Sequence, residues 1–309
     1  MTLAIDLIGI DKESGTKTFN INILEEIIRS QRKENIYIFV CNHYLNIFEN
    51  KKISKNIKFI KKSNFFSIDF IKIIWMQLIL PFELLIYKVD KVYSPMNYCP
   101  LLSKAFNIEI ILGLHSNLPW VYFDKMPGFK IKNFFIKKMM ELSIFCSNKL
   151  IVNSNFAKKE LIKYLNIKSN KIFVNYLGVD DKIIKEKKFT KKKLFNFKTN
   201  FILCVSSCVR YHDFSCILKS FKDIKNQEID IKLILIMQIL DKKYFESINC
   251  YVKKNFKKDE VLFFHNVNKN LLQKFYRNAL FYVFSSYCEV FGLTSLEAMK
   301  NKCPVLISN

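Results

Sequence analysis

Near the carboxyl end of the chain, Glu289 and Glu297 bracket the run Glu-Val-Phe-Gly-Leu-Thr-Ser-Leu-Glu, two carboxylates eight residues apart with Gly292 between them. The apolar stretch Leu280–Phe284 before it reads as a strand, and a helix is expected to open at Thr294. Strand, glycine loop and helix in that order aim bare backbone N–H groups and the positive end of a helix dipole at one point. Such a point suits a phosphate or a polar sugar, and the flanking carboxylates can accept hydrogen bonds from hydroxyls. Thr294-x-x-Glu297 also has the spacing of a capping box, in which Glu297 would only satisfy the first N–H of the helix.

Further polar residues fall where strands are expected to end. In open parallel sheets, ligands bind beyond the carboxyl ends of the strands. Ser14-Gly15-Thr16 follows the first apolar run, and its single glycine is equally an ordinary N-terminal helix turn. His115 follows Glu109–Leu114, where a lone histidine is either a ligand group or a satisfied structural one. Arg210-Tyr211-His212-Asp213 follows Phe201–Ser206. An arginine beside a helix start can grip a diphosphate with two parallel hydrogen bonds, or can form a surface ion pair.

These residues need a scaffold of strands alternating with helices. Apolar runs predict strands over Leu3–Ile8, Ile36–Val40, Ile57–Ile60, Lys91–Tyr93, Glu109–Leu114, Leu150–Asn153 and Lys171–Asn175. Five more are predicted over Phe201–Ser206, Ile231–Ile236, Val261–Phe264, Leu280–Phe284 and Val305–Ile307. Helical periodicity lies between them, over Phe19–Arg29, Lys130–Cys146, Ala157–Tyr164, Phe214–Lys225 and Leu271–Arg277. Alternation of this kind means parallel sheets built from βαβ units, and strands apolar on both faces mean helices on both sides. The Lys-rich stretch 181–198 lacks a sustained apolar pattern and is expected to link a first domain, 1–180, to a second, 199–309. The second domain would have five strands and no closing helix, so it is expected to be incomplete.

Composition limits what the scaffold does. A chain of 309 residues that is 50% hydrophobic suits two cores. Nine cysteines without a Cys-x-x-Cys, and four histidines that do not cluster with them, predict neither a disulfide framework nor a zinc site, and point to a reducing cytosol. No basic leader precedes the first apolar run. Ile68–Tyr87 is broken by Asp69, Lys72, Gln77, Pro81 and Glu83, which argues against a membrane-spanning helix. The net charge of +23 would draw acidic partners, yet the lysines are spread along the chain, and heavy use of Lys, Asn, Ile and Phe together is also what AT-rich codons produce. No nucleic-acid motif accompanies the charge, so a nucleic-acid partner is not expected.

With these residues in view, the chain resembles the family 4 retaining glycosyltransferases of the two-Rossmann-domain, or GT-B, architecture, and the similarity covers nearly its whole length. Ile5-Asp6, Ser14-Gly15-Thr16 and Asn22-Ile23-Leu24 resemble the family's first strand, glycine loop and helix. Trp75-x-Gln77-x-x-x-Pro81 and Tyr93-Ser94-Pro95 resemble a stretch found in bacterial polysaccharide members. Ser154-Asn155-Phe156-Ala157-Lys158, Tyr176-Leu177-Gly178-Val179-Asp180 and Val205-Ser206-Ser207 with Arg210-Tyr211 are similar to recurrent segments. The Glu289-to-Glu297 run with Pro304-Val305 is the most specific signature. The family continues past the equivalent of Asn309, so the resemblance too implies truncation.

The resemblance implies two Rossmann-like domains facing across a cleft, with the donor held by the second. Glu289 would contact the donor sugar's hydroxyls, beside the backbone of Phe291, Gly292 and Leu293. Glu297 would hold the ribose, and Arg210 would neutralise the diphosphate. His115 would sit near the sugar, and Gly15 would open the first helix at the donor. His212 stands where the family usually has lysine and would bind the diphosphate more weakly. Lys302 stands where a left-handed glycine usually ends the signature helix. The implied donor is a UDP- or GDP-hexose, with GDP-mannose favoured, and no metal or other cofactor is expected. The acceptor would be a glycan or lipid-linked oligosaccharide in surface polysaccharide assembly. The enzyme would work in the cytoplasm, with peripheral contact to the inner face of an anionic plasma membrane. Ile131, Phe134, Phe135, Met139 and Leu142 share a helical face with Lys130, Lys137 and Lys138 nearby, which fits such contact or equally fits packing on the chain's own sheet. Alternatives are a remnant that binds nucleotide sugar without transfer, and a related-fold sugar-nucleotide epimerase.

Overall fold

The computed structural model describes residues 1–9, 15–30, 33–47, 53–179 and 199–308. All twelve expected strands are present: β1 (Thr2–Asp6), β2 (Asn35–Cys41), β3 (Ile57–Lys62), β4 (Lys91–Ser94), β5 (Glu109–Leu114), β6 (Lys149–Val152), β7 (Ile172–Val174), β8 (Phe201–Cys208), β9 (Lys232–Ile239), β10 (Val261–Phe264), β11 (Phe281–Phe284) and β12 (Val305–Ile307). They form two wholly parallel sheets, ordered β3-β2-β1-β4-β5-β6-β7 and β10-β9-β8-β11-β12. Each sheet reverses its winding once, between β1 and β4 in the first and between β8 and β11 in the second. These are the two Rossmann-like units the alternating pattern predicts.

By compactness the chain divides into one unit of Met1–Asn117 with Phe134–Leu177, and another of Leu118–Asn133 with Gly178–Asn309. The first unit is therefore not the continuous stretch 1–180 expected from the sequence. The short helix α4 (Leu118–Val121) and the turn after it belong to the second unit, where the Tyr122 and Tyr287 rings lie 5.9 Å apart. Lys125 Nζ sits 3.8 Å from the centre of the Tyr287 ring. The proposed linker 181–198 lies outside the described residues.

Period-two alternation builds both faces of the second sheet. Phe201, Leu203 and Val205 of β8 and Ile234 and Ile236 of β9 pack against α9 (Lys269–Asn278) and α10 (Leu293–Lys300), through Phe275, Tyr276 and Ala298. The intervening residues Ile202, Cys204, Leu233, Leu235 and Met237 turn the other way, onto α7 (Phe214–Lys225) and α8 (Lys242–Asn255). Helices cover both faces because right-handed crossovers change side when the strand order reverses.

In the first unit, α1 (Gly15–Arg29) follows β1. The apolar stretch after β3 is helical: α2 (Asp69–Ile74), a π turn (Trp75–Ile79) and α3 (Leu80–Ile86), with Pro81 tolerated in the first turn of α3. It buries Trp75, Met76, Leu80 and Leu84. Among the described residues no helix is long and apolar enough to cross a membrane. Then come α5 (Lys130–Cys146), with the bounds predicted, which enters the first unit at Phe134, and α6 (Asn155–Leu165), capped by Ser154, whose hydroxyl accepts from the Ala157 N–H.

Candidate functional site

In the second unit the polar residues gather where the winding reverses. β11 ends at Phe284, and the chain turns through Gly292 (φ 80°) into α10. A residue with a Cβ is strained at that φ, although the space around the position is open enough for one, the nearest atom being Glu289 Cγ at 3.7 Å. The capping-box reading does not hold. Gly292 is the N-cap and has no side chain to cap the helix, and the Thr294 hydroxyl is 2.8 Å from that of buried Tyr282. Glu297 instead accepts a hydrogen bond from Tyr276 Oη, at 3.3 Å. Burial raises the Glu297 pKa, while Tyr276 and the charge of Lys269 oppose the shift.

Glu289 reaches solvent as a residue, yet the protein packed around its carboxyl group desolvates it and raises its pKa. Hydrogen bonds from the N–H groups of Gly292, Phe291 and Val290 oppose that rise. The carboxylate is thus held by the amides of its own loop, with Phe291 and Leu293 on either side of the glycine.

The neighbouring strand β8 runs on to Cys208, two residues beyond expectation, and then makes a 3-10 turn over Arg210–His212. Asp213, at φ 38°, starts α7. The loops after β8 and β11 are bonded together: Ser285 Oγ donates to the carbonyls of His212 (3.1 Å) and Asp213 (2.9 Å), and the Tyr287 N–H donates to Tyr211 O (2.8 Å). Arg210 is exposed, but its Nε lies 3.3 Å from Asp241 Oδ2, and its guanidinium lies over the Tyr244 ring. The surface ion pair weighed from sequence is therefore the arrangement seen.

His212 departs from the role the resemblance implies. Its ring is buried against Tyr211 and Phe284, and Nδ1 lies 2.7 Å from Ser207 O and within hydrogen-bond reach of Ser206 Oγ. Desolvation lowers its pKa to about 4 against the hydrogen bond to Ser207, so the ring is neutral near pH 7. A neutral imidazole whose Nδ1 is committed to the backbone braces the β8 loop and does not supply charge to a diphosphate. Lys302 does take the left-handed conformation expected there, at φ 62°.

The first unit carries its own cluster, at the carboxyl ends of β1, β4, β5 and β6. Asp6 ends β1 and is 1% exposed, with Oδ1 accepting from the Ile8 N–H at 3.0 Å. Burial raises its pKa, and the charge of Lys72 opposes that. His115 follows β5. Its N–H donates to Asn97 Oδ1 (2.7 Å), its Nδ1 lies 2.9 Å from Asn153 Nδ2, and Phe19 packs edge-on at 4.8 Å. Burial pushes its pKa down to about 4, offset in part by the Pro95 carbonyl and the Asn153 side chain. Neither satisfies Nε2, which is buried without a hydrogen-bond partner among the described residues. Asp6 Oδ2, Tyr93 Oη, Ser94 Oγ and Asn153 Oδ1 share that condition. Buried polar atoms are rarely left unpaired, and these five stand together at one edge of the sheet. Gly113 makes room for them, since a Cβ there would come within 2.9 Å of Pro95 Cα and 3.2 Å of Tyr93 Oη.

Gly15 opens α1, and Ser14 lies outside the described residues. Asp6 was legible only as a charge interrupting an apolar strand. Ser94 and Asn153 follow from the carboxyl-end rule once it is applied to every strand and not to four of them. Among the described residues no group of three or more His, Cys, Asp or Glu side chains is placed to hold a metal ion.

The O-antigen chain mannosyltransferase RfbU of Salmonella typhimurium is 27% identical over 201 residues, which is 64% of this chain and 51% of RfbU. The capsular polysaccharide biosynthesis glycosyltransferase CapM of Staphylococcus aureus is 28% identical over 197 residues, 60% of this chain and 49% of CapM. The chain thus spans about half the length of the curated relatives it matches. Anabaena HepE, solved with UDP and glucose, superposes with a TM-score of 0.68 at 14% identity, covering 99% of this chain and 80% of that one. That likeness shows the fold. Residues 185–309, which carry the Glu289-to-Glu297 run, match the family model described as group 1 glycosyl transferases.

Proposed function

We propose that the protein is a retaining glycosyltransferase that moves a hexose from a UDP- or GDP-sugar to a glycan or lipid-linked acceptor in surface polysaccharide assembly. The observation that carries this reading is the glycine turn at the reversal point of the second sheet, where loop amides hold the Glu289 carboxylate at the start of α10. A carboxylate fixed in this way accepts hydrogen bonds from sugar hydroxyls. The helix start and Arg210, once it leaves Asp241, stabilise the charge that builds on a departing nucleoside diphosphate. Glu297 lies on the first turns of the same helix, on the ribose side of the donor. The match to group 1 glycosyl transferases supports the transfer chemistry, and the UDP-bound relative supports a nucleotide donor. Mannose as the sugar is supported by the resemblance that favours GDP-mannose and by the likeness to the mannosyltransferase RfbU.

In this reading the acceptor side belongs to the first unit. With a pKa of about 4, His115 is neutral at work and acts by hydrogen bonding and not as a cation. The configuration is retained by departure and attack on one face, and the leaving phosphate takes the acceptor's proton. The nucleotide sugars consumed place the reaction in the cytoplasm.

The test is a panel of UDP- and GDP-hexoses, scored first by thermal stabilisation of the protein and then by sugar transfer to lipid-linked and free glycan acceptors. Stabilisation with transfer is expected. Glu289→Gln should lower turnover by about 100-fold or more at unchanged melting temperature. Stabilisation without transfer would leave a nucleotide-sugar binder, and conversion of the donor with no acceptor present would mark an epimerase. Near-wild-type transfer by Glu289→Gln would refute the assignment of that residue.

A further inference from the structure

The loops proposed to hold the donor are poor in positive charge. Between them, the stretches after β8 (209–213) and after β11 (285–292) contain one permanent cation, Arg210, and two carboxylates, Asp213 and Glu289. Arg210 is itself paired with Asp241, and His212 is buried and neutral near pH 7. A nucleoside diphosphate is a multiple anion, and the partial charge at the start of α10 offsets only part of it.

A lysine reaches these loops from elsewhere in the chain. The segment Leu118–Asn133 follows β5 in sequence and runs into α5, yet it packs as part of the second unit. Its 3-10 turn, Phe123–Lys125, comes directly after Tyr122. Lys125 Nζ stands 3.8 Å from the centre of the Tyr287 ring and 5.1 Å from that of Tyr122. Tyr287 belongs to the loop after β11, two residues before Glu289. It is tied twice to the loop after β8: its N–H donates to Tyr211 O (2.8 Å), and its hydroxyl donates to Asp213 Oδ2 (2.5 Å). The hydrogen bond to Asp213, together with the charge of that carboxylate, raises the Tyr287 pKa to about 12. The tyrosine therefore keeps its proton and its hold on Asp213.

The arrangement sets an ammonium over the joint between the two donor loops. An aromatic face attracts a cation without neutralising it, and an ammonium lying on a ring still has N–H donors that face away from the ring. The lysine stem is flexible, so its head can exchange the ring for a stronger acceptor within reach. Asp213, the carboxylate on these loops that would compete for it, already accepts from the Tyr287 hydroxyl. We propose that Lys125 is a donor-binding residue that contacts the diphosphate and supplies the positive charge these loops lack. The inference rests on the nucleotide-sugar reading of the site. Local sequence does not mark the residue, because it stands outside both loops, in the stretch that leads into α5.

The experiment is calorimetry of UDP and GDP binding by the full chain at low and high salt, with Lys125→Gln, Lys125→Arg and Lys168→Gln compared with the unchanged protein. Lys168 is exposed on the connection from α6 to β7, so its variant loses the same charge in the first unit. Circular dichroism melts confirm that each variant is folded, and ligand-observed NMR follows the binding of uridine and guanosine. Expected is a loss of diphosphate affinity of about tenfold or more in Lys125→Gln, with a shallower salt dependence. Lys125→Arg and Lys168→Gln should stay near the unchanged protein, and nucleoside binding should not move in any variant. Diphosphate affinity that is unchanged in Lys125→Gln, or lost equally in Lys168→Gln, would overturn the inference and leave the donor site standing. So would an equal loss for the nucleoside. Binding of neither diphosphate by the unchanged protein would overturn the donor reading, and this inference with it.

Discussion

Acidifying the protein should expose the buried state of His212. In the unfolded chain a histidine has a pKa of 6.5, and in the fold His212 is lowered to about 4 by burial. A lowered folded pKa means that its contribution is intact above the unfolded value and is lost as pH falls toward the folded one. The loss is thus spread over the window from 6.5 to about 4. Integrating proton uptake between those two pKa values from about pH 7 to about pH 5 gives a loss near 2 kcal/mol for this one side chain. Glu289 and Glu297 have raised pKa values and act in the opposite sense as pH falls, and His115 adds its own loss in the first unit, so the raw profile mixes several groups. The measurement that isolates His212 is the difference between the unchanged protein and His212→Gln, by urea unfolding across that range. Glutamine can still donate to Ser207 O but does not titrate. The gap between the two proteins should shift by about 2 kcal/mol between about pH 7 and about pH 5, the variant being the less sensitive. Nucleoside diphosphate affinity at neutral pH should change little, because the ring is neutral and turned inward. Parallel pH profiles, or a large loss of diphosphate affinity in His212→Gln, would refute the reasoning and return the residue to the diphosphate.

The ion pair on Arg210 competes with any diphosphate, so Asp241→Asn should tighten nucleoside diphosphate binding by roughly 1.5- to 5-fold in calorimetry, the worth of an exposed ion pair. Asparagine keeps the cap on α8, since Asp241 Oδ1 accepts from the Tyr244 N–H at 3.0 Å. Arg210→Ala should weaken the same binding, and an increase there would count against its role. Gly292→Ala meets no clash but must adopt φ 80°, at a cost of about 1–2 kcal/mol of stability in denaturant unfolding. Lys302→Gly relieves a left-handed lysine at φ 62° and should stabilise the protein by about 0.5–1 kcal/mol, the gain being trimmed by glycine's freedom in the unfolded chain. A melting temperature that falls in Lys302→Gly would show that the lysine side chain matters more than its backbone.

The sequence by itself determined the strands, the alternation with helices and therefore the parallel doubly wound sheets. Strands apolar on both faces and helices of period 3.6 are local patterns, and Phe201–Val205 sorts its side chains to two cores by alternation alone. It also located the glycine turn at Gly292, because a strand, a glycine and a helical run stand consecutively in the chain. What it left undecided depended on residues brought together from far apart. Whether Glu297 capped its helix turned on Tyr276 being 21 residues away in sequence but within 3.3 Å in space. Whether Arg210 was free turned on Asp241, at the end of the next strand. His212 reads in the sequence as a weaker diphosphate ligand in place of lysine, and only Ser206, Ser207 and Phe284 closing around it make it a buried brace. Asp6, Ser94, His115 and Asn153 stand on four strands, and nothing local marks them as one cluster. They meet because parallel strands all end on the same edge of a sheet, and the neighbours across that edge decide which buried polar atoms are left without partners.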